Sequence, residues 1–393
     1  MPKFDFIWNI TLVCPWDCEF CCTDAAHVSS TAGSILLREN SLSASKTVSR
    51  DLSSLFKAKY PGVHCSKYDL ALIDRQLRGL EPTFEDKMGV LSNLEGLNLK
   101  IDFAGGEPLA CHENILIIKA ASEMFGKKSI SVTSTGIISK AHSILEISGF
   151  IGEYEFTYDE PKVALKQCRP KGYNNSNLRI AAKFSELGVR TKAQLPIHRG
   201  NKNKLAAESI YNSLCSSKIT ELLLMRTFPV GRGIPYLEDN EITKTELAQA
   251  ILNYSRLETP NKTNIRLQCA LKSLTETERP LTNPCDLMQS SYGINFQGDL
   301  LISAWANNIN GLPLSDDFIL GSLCKSSFQE ISRTEKFQRY KKRLDENFGH
   351  CKIFSYTNSK NKNEDSLFSK SDPLVLKKYA DENQYISLLE IQN

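Results

Sequence analysis

The sequence predicts an α/β fold, namely a partial (β/α)6 barrel of parallel strands followed by a smaller, irregular α+β C-terminal module. Six strand-like runs alternate with helical patterns between residues 6 and 226. Such alternation is typical of a parallel sheet whose two faces are covered by crossover helices. Beyond residue 235 the alternation is lost. Because six strand–helix units are present instead of eight, we expect an open barrel.

The predicted strands are short runs of β-branched, aromatic and other apolar residues. They cover residues 6–13, 99–103, 129–134, 153–158, 190–197 and 219–226. The predicted helices lie between and beside these runs, and several repeat apolar residues at i, i+3, i+4 and i+7. They cover residues 45–60, 84–97, 112–125, 138–148, 174–188 and 202–217. Since β/α barrels build their sites from the C-terminal ends of their strands, the residues that follow these strands are the candidate functional residues.

We expect three regions along the chain. Residues 1–235 form the barrel core, with an insertion at about residues 23–80 that is longer than one crossover helix needs. Residues 236–356 form the second module. Residues 357–393 combine a polar, turn-rich linker at 357–373 with a final twenty residues that predict a short docking helix.

Composition narrows the class of protein. The 393 residues contain neither a secretory signal pattern nor an apolar run that could span a bilayer, so we expect a cytoplasmic protein. Twelve cysteines are many for a compartment where structural disulfides are rare, which suggests that some thiols hold a metal. A net charge of only +3, from 48 basic and 45 acidic residues, gives no strong signal for a nucleic acid or a membrane surface as partner.

A cysteine cluster after the first predicted strand is the strongest chemical signal. Cys14, Cys18 and Cys21 form a CxxxCxxC motif, and thiolates are the preferred ligands of iron–sulfur clusters and of zinc. Three ligands on a four-iron cluster leave one iron open to a substrate. A structural zinc site that adds Cys22 or a distant residue is the alternative, although no second close pair of cysteines exists elsewhere in the chain.

The cluster resembles the CxxxCxΦC signature of the radical S-adenosylmethionine (SAM) superfamily, with Phe20 as the aromatic residue. The resemblance implies that Cys14, Cys18 and Cys21 bind a [4Fe-4S] cluster and that SAM chelates the fourth iron. It also implies an electron donor such as flavodoxin or ferredoxin. Cys22 has no ligand role in this interpretation.

Further motifs at strand ends resemble the same family. Gly105, Gly106 and Glu107 match the GGEP element that contacts the SAM amino group in relatives. Two glycines allow close approach of the backbone to a ligand, and a strand-end carboxylate accepts hydrogen bonds from an ammonium. Weaker similarities follow the third, fourth and sixth strands. The resemblance therefore implies a cofactor-binding set of Phe20, Gly105, Gly106, Glu107, Ser134, Asp159 and Arg226.

The second module resembles a degenerate SPASM or twitch extension, which carries auxiliary [4Fe-4S] clusters in peptide-modifying members of the superfamily. Cys285 and Gly298 keep the family spacing, whereas Ser303 replaces the next cysteine. Four cysteines remain in this region, and none lies within fifteen residues of another. They are Cys269, Cys285, Cys324 and Cys351. We expect ordinary buried thiols rather than an auxiliary cluster, because free cysteine is among the most buried residue types.

The resemblance implies an enzyme that cleaves SAM reductively and uses the 5′-deoxyadenosyl radical to abstract hydrogen from a substrate. The extension points to a peptide or protein side chain as that substrate. A small metabolite or a nucleotide is an open alternative, as is a non-enzymatic protein that binds or senses with zinc or an Fe–S centre. The sequence does not decide the reaction outcome, the fate of SAM or the oligomeric state.

Overall fold

The strands of this chain form two sheets in a computed structural model that describes residues 3–31, 33–161, 168–272, 274 and 283–375. The strands within this part of the chain are β1 Phe4–Thr11, β2 Val13–Cys14, β3 Ala26–Thr31, β4 Ser34–Arg38, β5 Lys46–Val48, β6 Leu99–Gly105, β7 Ile130–Thr133, β8 Glu153–Thr157, β9 Arg190–Ile197, β10 Glu221–Arg226, β11 Asn264–Leu267, β12 Ser291–Ile294, β13 Asp299–Leu301 and β14 Ile319–Ser322.

The helices cover the larger sheet and build the insertion. They are α1 Leu52–Lys59, α2 Lys67–Leu77, α3 Phe84–Ser92, α4 His112–Phe125, α5 Ile144–Ser148, α6 Tyr173–Glu186, α7 Lys204–Ser216, α8 Gly233–Asn240, α9 Lys244–Ser255, α10 Cys269–Lys272, α11 Phe328–Ser332, α12 Glu335–Lys342, α13 Lys352–Asn358 and α14 Glu364–Leu367. Short 3-10 turns precede β7 and β14. None of the described helices combines the length and the apolar character needed to cross a membrane.

The larger sheet has the strand order β11-β10-β9-β8-β7-β6-β1-β12-β13-β14. The strands from β11 to β12 run parallel, and β13 and β14 are antiparallel additions. The six predicted strands are β1 and β6 to β10, in the predicted order along the chain. The α/β class with a largely parallel sheet is thereby confirmed.

The sheet continues beyond the predicted core on both sides. Strand β11 lies parallel to β10, so the β/α alternation runs one unit past residue 235. Strand β12 pairs in parallel with β1, with Trp8 opposite Ile294. The region after residue 235 therefore extends the same sheet, and it contacts the strand that leads to the cysteine motif.

The two faces of the parallel strands differ in polarity. On β8, Tyr154 stacks on Phe184 of α6, with ring centroids 4.4 Å apart, so this face packs against helices. The alternate residues Glu153 and Glu155 point the other way and contact Lys192 of β9, whose Nζ lies 2.9 and 2.6 Å from their carboxylates. The concave face of the barrel is therefore lined by polar side chains.

The insertion adds β3, β4 and β5 to β2 in a second sheet of order β2-β3-β4-β5, which packs against α2. Arg75 of α2 donates to Glu81 at 2.8 Å, and Glu81 in turn accepts from the Thr11 hydroxyl and the Leu12 N–H at 2.8 and 3.0 Å. Since all four groups are buried, these hydrogen bonds fix the insertion to the end of β1.

The predicted polar linker at 357–373 is wrong, because this segment packs against the rest of the protein. Helix α14 buries Leu367, and the following Phe368 is also buried. Asp372 is fully buried and pairs with Arg226. The predicted docking helix falls, from residue 376 onward, outside the described residues.

Candidate functional site

The cysteine motif lies where β2 ends, in a segment we call the cysteine loop (residues 14–25). Cys14 and Cys18 are buried and Cys21 is partly exposed. The Cys21 Sγ atom accepts from the Ala25 N–H at 3.4 Å and lies 3.4 Å from the Thr23 hydroxyl. These two contacts fix the position of the Cys21 sulfur within the loop.

The three thiols interact electrostatically. Burial raises the pKa of Cys14 well above its ordinary value, and the Cys18 and Cys21 thiols raise it further. Burial also raises the pKa of Cys18 to about 11, while the nearby Arg169 guanidinium opposes that rise. The cysteines are thus grouped in a buried site where a cation and a metal centre would favour the thiolate form.

Phe20, the aromatic residue of the motif, packs inward. Its ring centroid lies 4.8 Å from that of Tyr236 and 5.7 Å from that of His198. The Arg169 guanidinium stacks on the same ring at 3.9 Å. Phe20 therefore fixes the loop between Cys18 and Cys21 against the ends of the later strands.

Gly105 and Gly106 bring the GGEP segment directly onto the chain that leads to Cys14. The Gly106 N–H donates to the Thr11 carbonyl at 2.7 Å, and the Glu107 N–H donates to the Val13 carbonyl at 2.8 Å. A Cβ atom at Gly105 or Gly106 would lie 2.4 Å from a backbone oxygen of this chain. Only glycine permits this contact, so the two motifs are held side by side.

Glu107 and Ser134 are in direct contact. The buried Glu107 carboxylate accepts from the Ser134 hydroxyl at 2.9 Å and from the Leu109 N–H at 3.0 Å. Its other oxygen accepts from the Thr135 N–H at 2.5 Å and from the Thr135 hydroxyl. The turn after β7 thereby orients the carboxylate, and burial raises its pKa above the ordinary value.

Asp159 lies on the same side as Cys18. Its Oδ2 atom accepts from Arg169 Nε and Nη2 at 2.9 and 2.6 Å, and all these groups are buried. Its Oδ1 atom has no hydrogen-bond partner among the described residues. Arg169 therefore links a predicted cofactor residue to the cysteine loop, and one carboxylate oxygen is left for a further donor.

Arg226 has a different environment from the other predicted cofactor residues. Its Nη1 atom donates to both Asp372 oxygens, at 3.0 and 2.9 Å, and its guanidinium stacks on the Phe354 ring at 3.4 Å. These partners belong to the C-terminal region. The cofactor role of Arg226 stays a prediction, while the contacts shown here attach the C-terminal segment to the end of β10.

No group of three His, Cys, Asp or Glu side chains among the described residues converges closely enough to hold one metal ion. The cluster-binding role of Cys14, Cys18 and Cys21 therefore stays a prediction.

The cysteines of the C-terminal module are dispersed. Cys285 and Cys351 are both buried and interact, since the Cys285 thiol adds to the effect of burial in raising the pKa of Cys351 to about 12. Cys324 packs elsewhere, against Gly298, and donates to the Gln297 carbonyl at 3.5 Å. The Ser303 hydroxyl accepts from the Trp305 N–H at 3.3 Å. The described contacts give no four-ligand cluster site here.

The predicted site residues do not include two arginines that contact the cysteine loop, Arg169 and Arg232. Arg169 follows no recognisable motif, and only the fold brings it to Phe20. Arg232 lies between two glycines after β10, and this Gly-Arg-Gly pattern is the one sequence signal of close backbone contact. Its side chain contacts Asp17, Asp24, Cys18 and Ala25.

Comparisons with known proteins show what this architecture is similar to. No protein-family model matches the sequence, and no curated protein matches it. Among solved structures, native anSMEcpe with bound AdoMet (SAM) superposes with a TM-score of 0.55 at 13% identity, covering 94% of each chain. A structure of anSMEcpe with AdoMet and the Cp18Cys peptide gives a TM-score of 0.53 at 13% identity and the same coverage.

A second similar structure is Streptococcus suis SuiB bound to its precursor peptide SuiA. The TM-score is 0.53 at 13% identity, over 85% of this chain and 65% of SuiB. This chain thus spans less than two thirds of the length of SuiB. At such identities the likeness concerns the fold. The chain has the fold of the radical SAM enzymes, the family that its cysteine and GGEP motifs resemble.

Proposed function

We propose that this chain is a radical SAM enzyme that abstracts hydrogen from a peptide or protein side chain. One observation carries the proposal: the GGEP segment is hydrogen-bonded to the residues directly before Cys14, through Gly106 and Glu107. Two motifs that are 84 residues or more apart in sequence thereby form one site at the ends of neighbouring strands β1 and β6.

Each residue of this site would have a separate role. Cys14, Cys18 and Cys21 would hold the [4Fe-4S] cluster, and Phe20 packs their loop against the barrel. The two glycines let the GGEP backbone lie against the residues before Cys14, and Glu107, oriented by Ser134, would accept from the SAM ammonium. When bound, the reduced cluster and SAM would supply a 5′-deoxyadenosyl radical. A flavodoxin or ferredoxin would deliver the electron in the cytoplasm.

A peptide substrate is supported by the complexes of the similar structures. SuiB was solved with a precursor peptide, and anSMEcpe was solved with AdoMet and a peptide. A small polar metabolite or a nucleotide is the alternative substrate class.

Anaerobic reconstitution with iron and sulfide tests the cluster. We expect about four irons per chain and the formation of 5′-deoxyadenosine from SAM in the presence of a strong reductant. Cys14→Ala, Cys18→Ala and Cys21→Ala should abolish this product, whereas the matched control Cys22→Ala should retain it. Binding of one zinc ion, no iron, and intact SAM would instead establish the non-enzymatic zinc protein.

The substrate class is tested separately with the active protein. Candidate precursor peptides encoded beside the gene, labelled with deuterium on their side chains, should transfer deuterium to 5′-deoxyadenosine. Transfer from nucleosides or small metabolites, with none from peptides, would support the metabolite alternative while leaving the radical chemistry in place.

A further inference from the structure

Arg232 makes an unusually complete set of contacts with the cysteine loop. Its Nη1 atom donates to the Cys18 carbonyl and its Nη2 atom to the Ala25 carbonyl, each at 3.0 Å. The same guanidinium forms ion pairs with Asp17 and Asp24. Its backbone N–H donates to the Cys21 carbonyl at 2.9 Å. One buried residue therefore contacts the loop along most of its length.

These contacts join the segment after β10 to the cysteine loop, which follows β2. Arg232 follows β10, whereas the loop follows β1 and β2, and four strands separate β10 from β1 in the sheet. The sheet hydrogen bonds therefore do not bring the two segments together. Much of the loop has no regular secondary structure, and ordering such a segment costs backbone conformational entropy. Side-chain contacts must therefore offset part of the free-energy cost of ordering the loop.

The C-terminal module contacts the loop at the same point. The Gly231 N–H donates to the Asn307 carbonyl at 2.7 Å, and Asn307 Nδ2 donates to the Cys22 carbonyl at 3.4 Å. Gly231 has a φ of +51°, and a Cβ atom there would lie 2.4 Å from the Cys21 carbonyl oxygen. The loop is thus held between the Gly-Arg-Gly turn and the module.

We propose that Arg232 is the positioning residue of the cysteine loop and that Asn307 makes the C-terminal module part of the same support. This inference rests on the proposed function, because it takes the loop as the cluster-binding loop. The module then has a role at the first cluster that does not require auxiliary cluster ligands of its own. Arg232 acts on the loop through its backbone carbonyls and its carboxylates.

Retention of iron tests the inference. The reconstituted full chain is incubated with a ferrous chelator, and loss of iron is followed by absorbance, with EPR of the reduced cluster and circular dichroism of the apoprotein alongside. Hydrogen bonds to charged groups contribute about 1.5–3 kcal/mol each, so Arg232→Gln should release iron at least about tenfold faster than the wild type. Arg232→Lys, which keeps the charge without the fork, should be intermediate.

Arg38→Gln is the matched control, because Arg38 also pairs with Asp17 but from the outer side. It should stay within about twofold of the wild type, as expected for a solvent-exposed ion pair. If Arg232→Gln kept its iron as long as the wild type, the positioning role would be refuted.

Asn307→Ala tests whether the C-terminal module supports the loop, and it does so even if the Arg232 variants do not fold. It should release iron several-fold faster than the wild type, whereas Cys285→Ala, a change within the module, should not. Equal rates for Asn307→Ala and the wild type would refute the coupling to the module. A wild-type chain that binds no iron would instead contradict the proposed function, so the two failures are distinguishable.

Discussion

The cysteine loop and the C-terminal module both contain cysteines that interact with one another, in different structural settings. In the loop, hydrogen bonds and cations surround the sulfur atoms: Ala25 donates to Cys21, and the Arg169 guanidinium lies near Cys18. In the module, Cys351 and Cys285 are buried beside each other, and burial is the main cause of the raised pKa of Cys351. Burial raises the pKa of Cys18 as well, so among the described residues the two settings differ in how many thiols interact: three in the loop and two in the module.

Burial alone does not distinguish the two sets of cysteines. Cys18 and Cys351 are almost equally buried, at 7% and 4% exposure. Their partners differ. Cys18 lies in a loop that Arg232 and Phe20 support. Cys351 directly precedes α13, and its backbone N–H donates to the Asp372 carboxylate at 3.1 Å. The comparison predicts that one thiol binds iron and that the other is part of the packed interior.

Replacing these two cysteines should have the largest effect and test the comparison directly. Cys18→Ala should lower the iron content after reconstitution from about four per chain to a small remainder, because the cluster loses one of three protein ligands. Cys351→Ala should leave about four irons and cost only about 1 kcal/mol of unfolding free energy, the loss of a small buried group. Metal analysis and urea unfolding measure the two quantities. Loss of half the iron in Cys351→Ala would reveal an auxiliary cluster.

Much of the fold follows from local sequence patterns. The predicted strands at 153–158 and 190–197 lie within one residue of β8 and β9, because β-branched and apolar runs are local signals of strands. The prediction of a linker at 357–373 was wrong because it also used local patterns alone. Its few apolar residues, among them Leu367 and Phe368, are isolated in a polar run, and their burial depends on surfaces distant in sequence.

The sequence predicts a site residue only where the residues that act together lie close to one another along the chain. Cys14, Cys18 and Cys21 are neighbours in sequence, so the motif identifies them. Arg232 reaches the loop from more than 200 residues away, and the partner of Arg226 is 146 residues away. A strand-end position marks such an arginine as a candidate but does not reveal which carboxylate it meets.

Breaking the Arg226–Asp372 pair should have the next largest effect and should be confined to the C-terminal region. Asp372→Asn leaves the buried Arg226 without its counter-charge, which typically costs about 3–5 kcal/mol. Iron content should not change, since neither residue contacts the cysteine loop through the hydrogen bonds described above. Asp365→Asn is the matched control, because its 2.8 Å pair with Arg343 is mostly exposed, and it should cost less than about 1 kcal/mol. Equal losses of unfolding free energy in the two variants would show that the buried pair contributes no more stability than the exposed one.

The smallest expected effect concerns pH and is again specific to the module. Burial lowers the pKa of His350, and its Nδ1 atom accepts from the Asp372 N–H at 3.3 Å, so this nitrogen must be unprotonated. A histidine whose folded pKa lies below the unfolded value of about 6.5 makes the unfolded state bind more protons. Its contribution to stability is therefore present above pH 6.5, is lost as the pH falls below that value, and levels off below the folded pKa. His350→Gln should reduce the stability difference between pH 7.5 and 5.5, because it removes the group whose pKa differs between the folded and unfolded states. Urea unfolding at both pH values measures it, and an unchanged difference would show that the Asp372 contact tolerates a protonated imidazole.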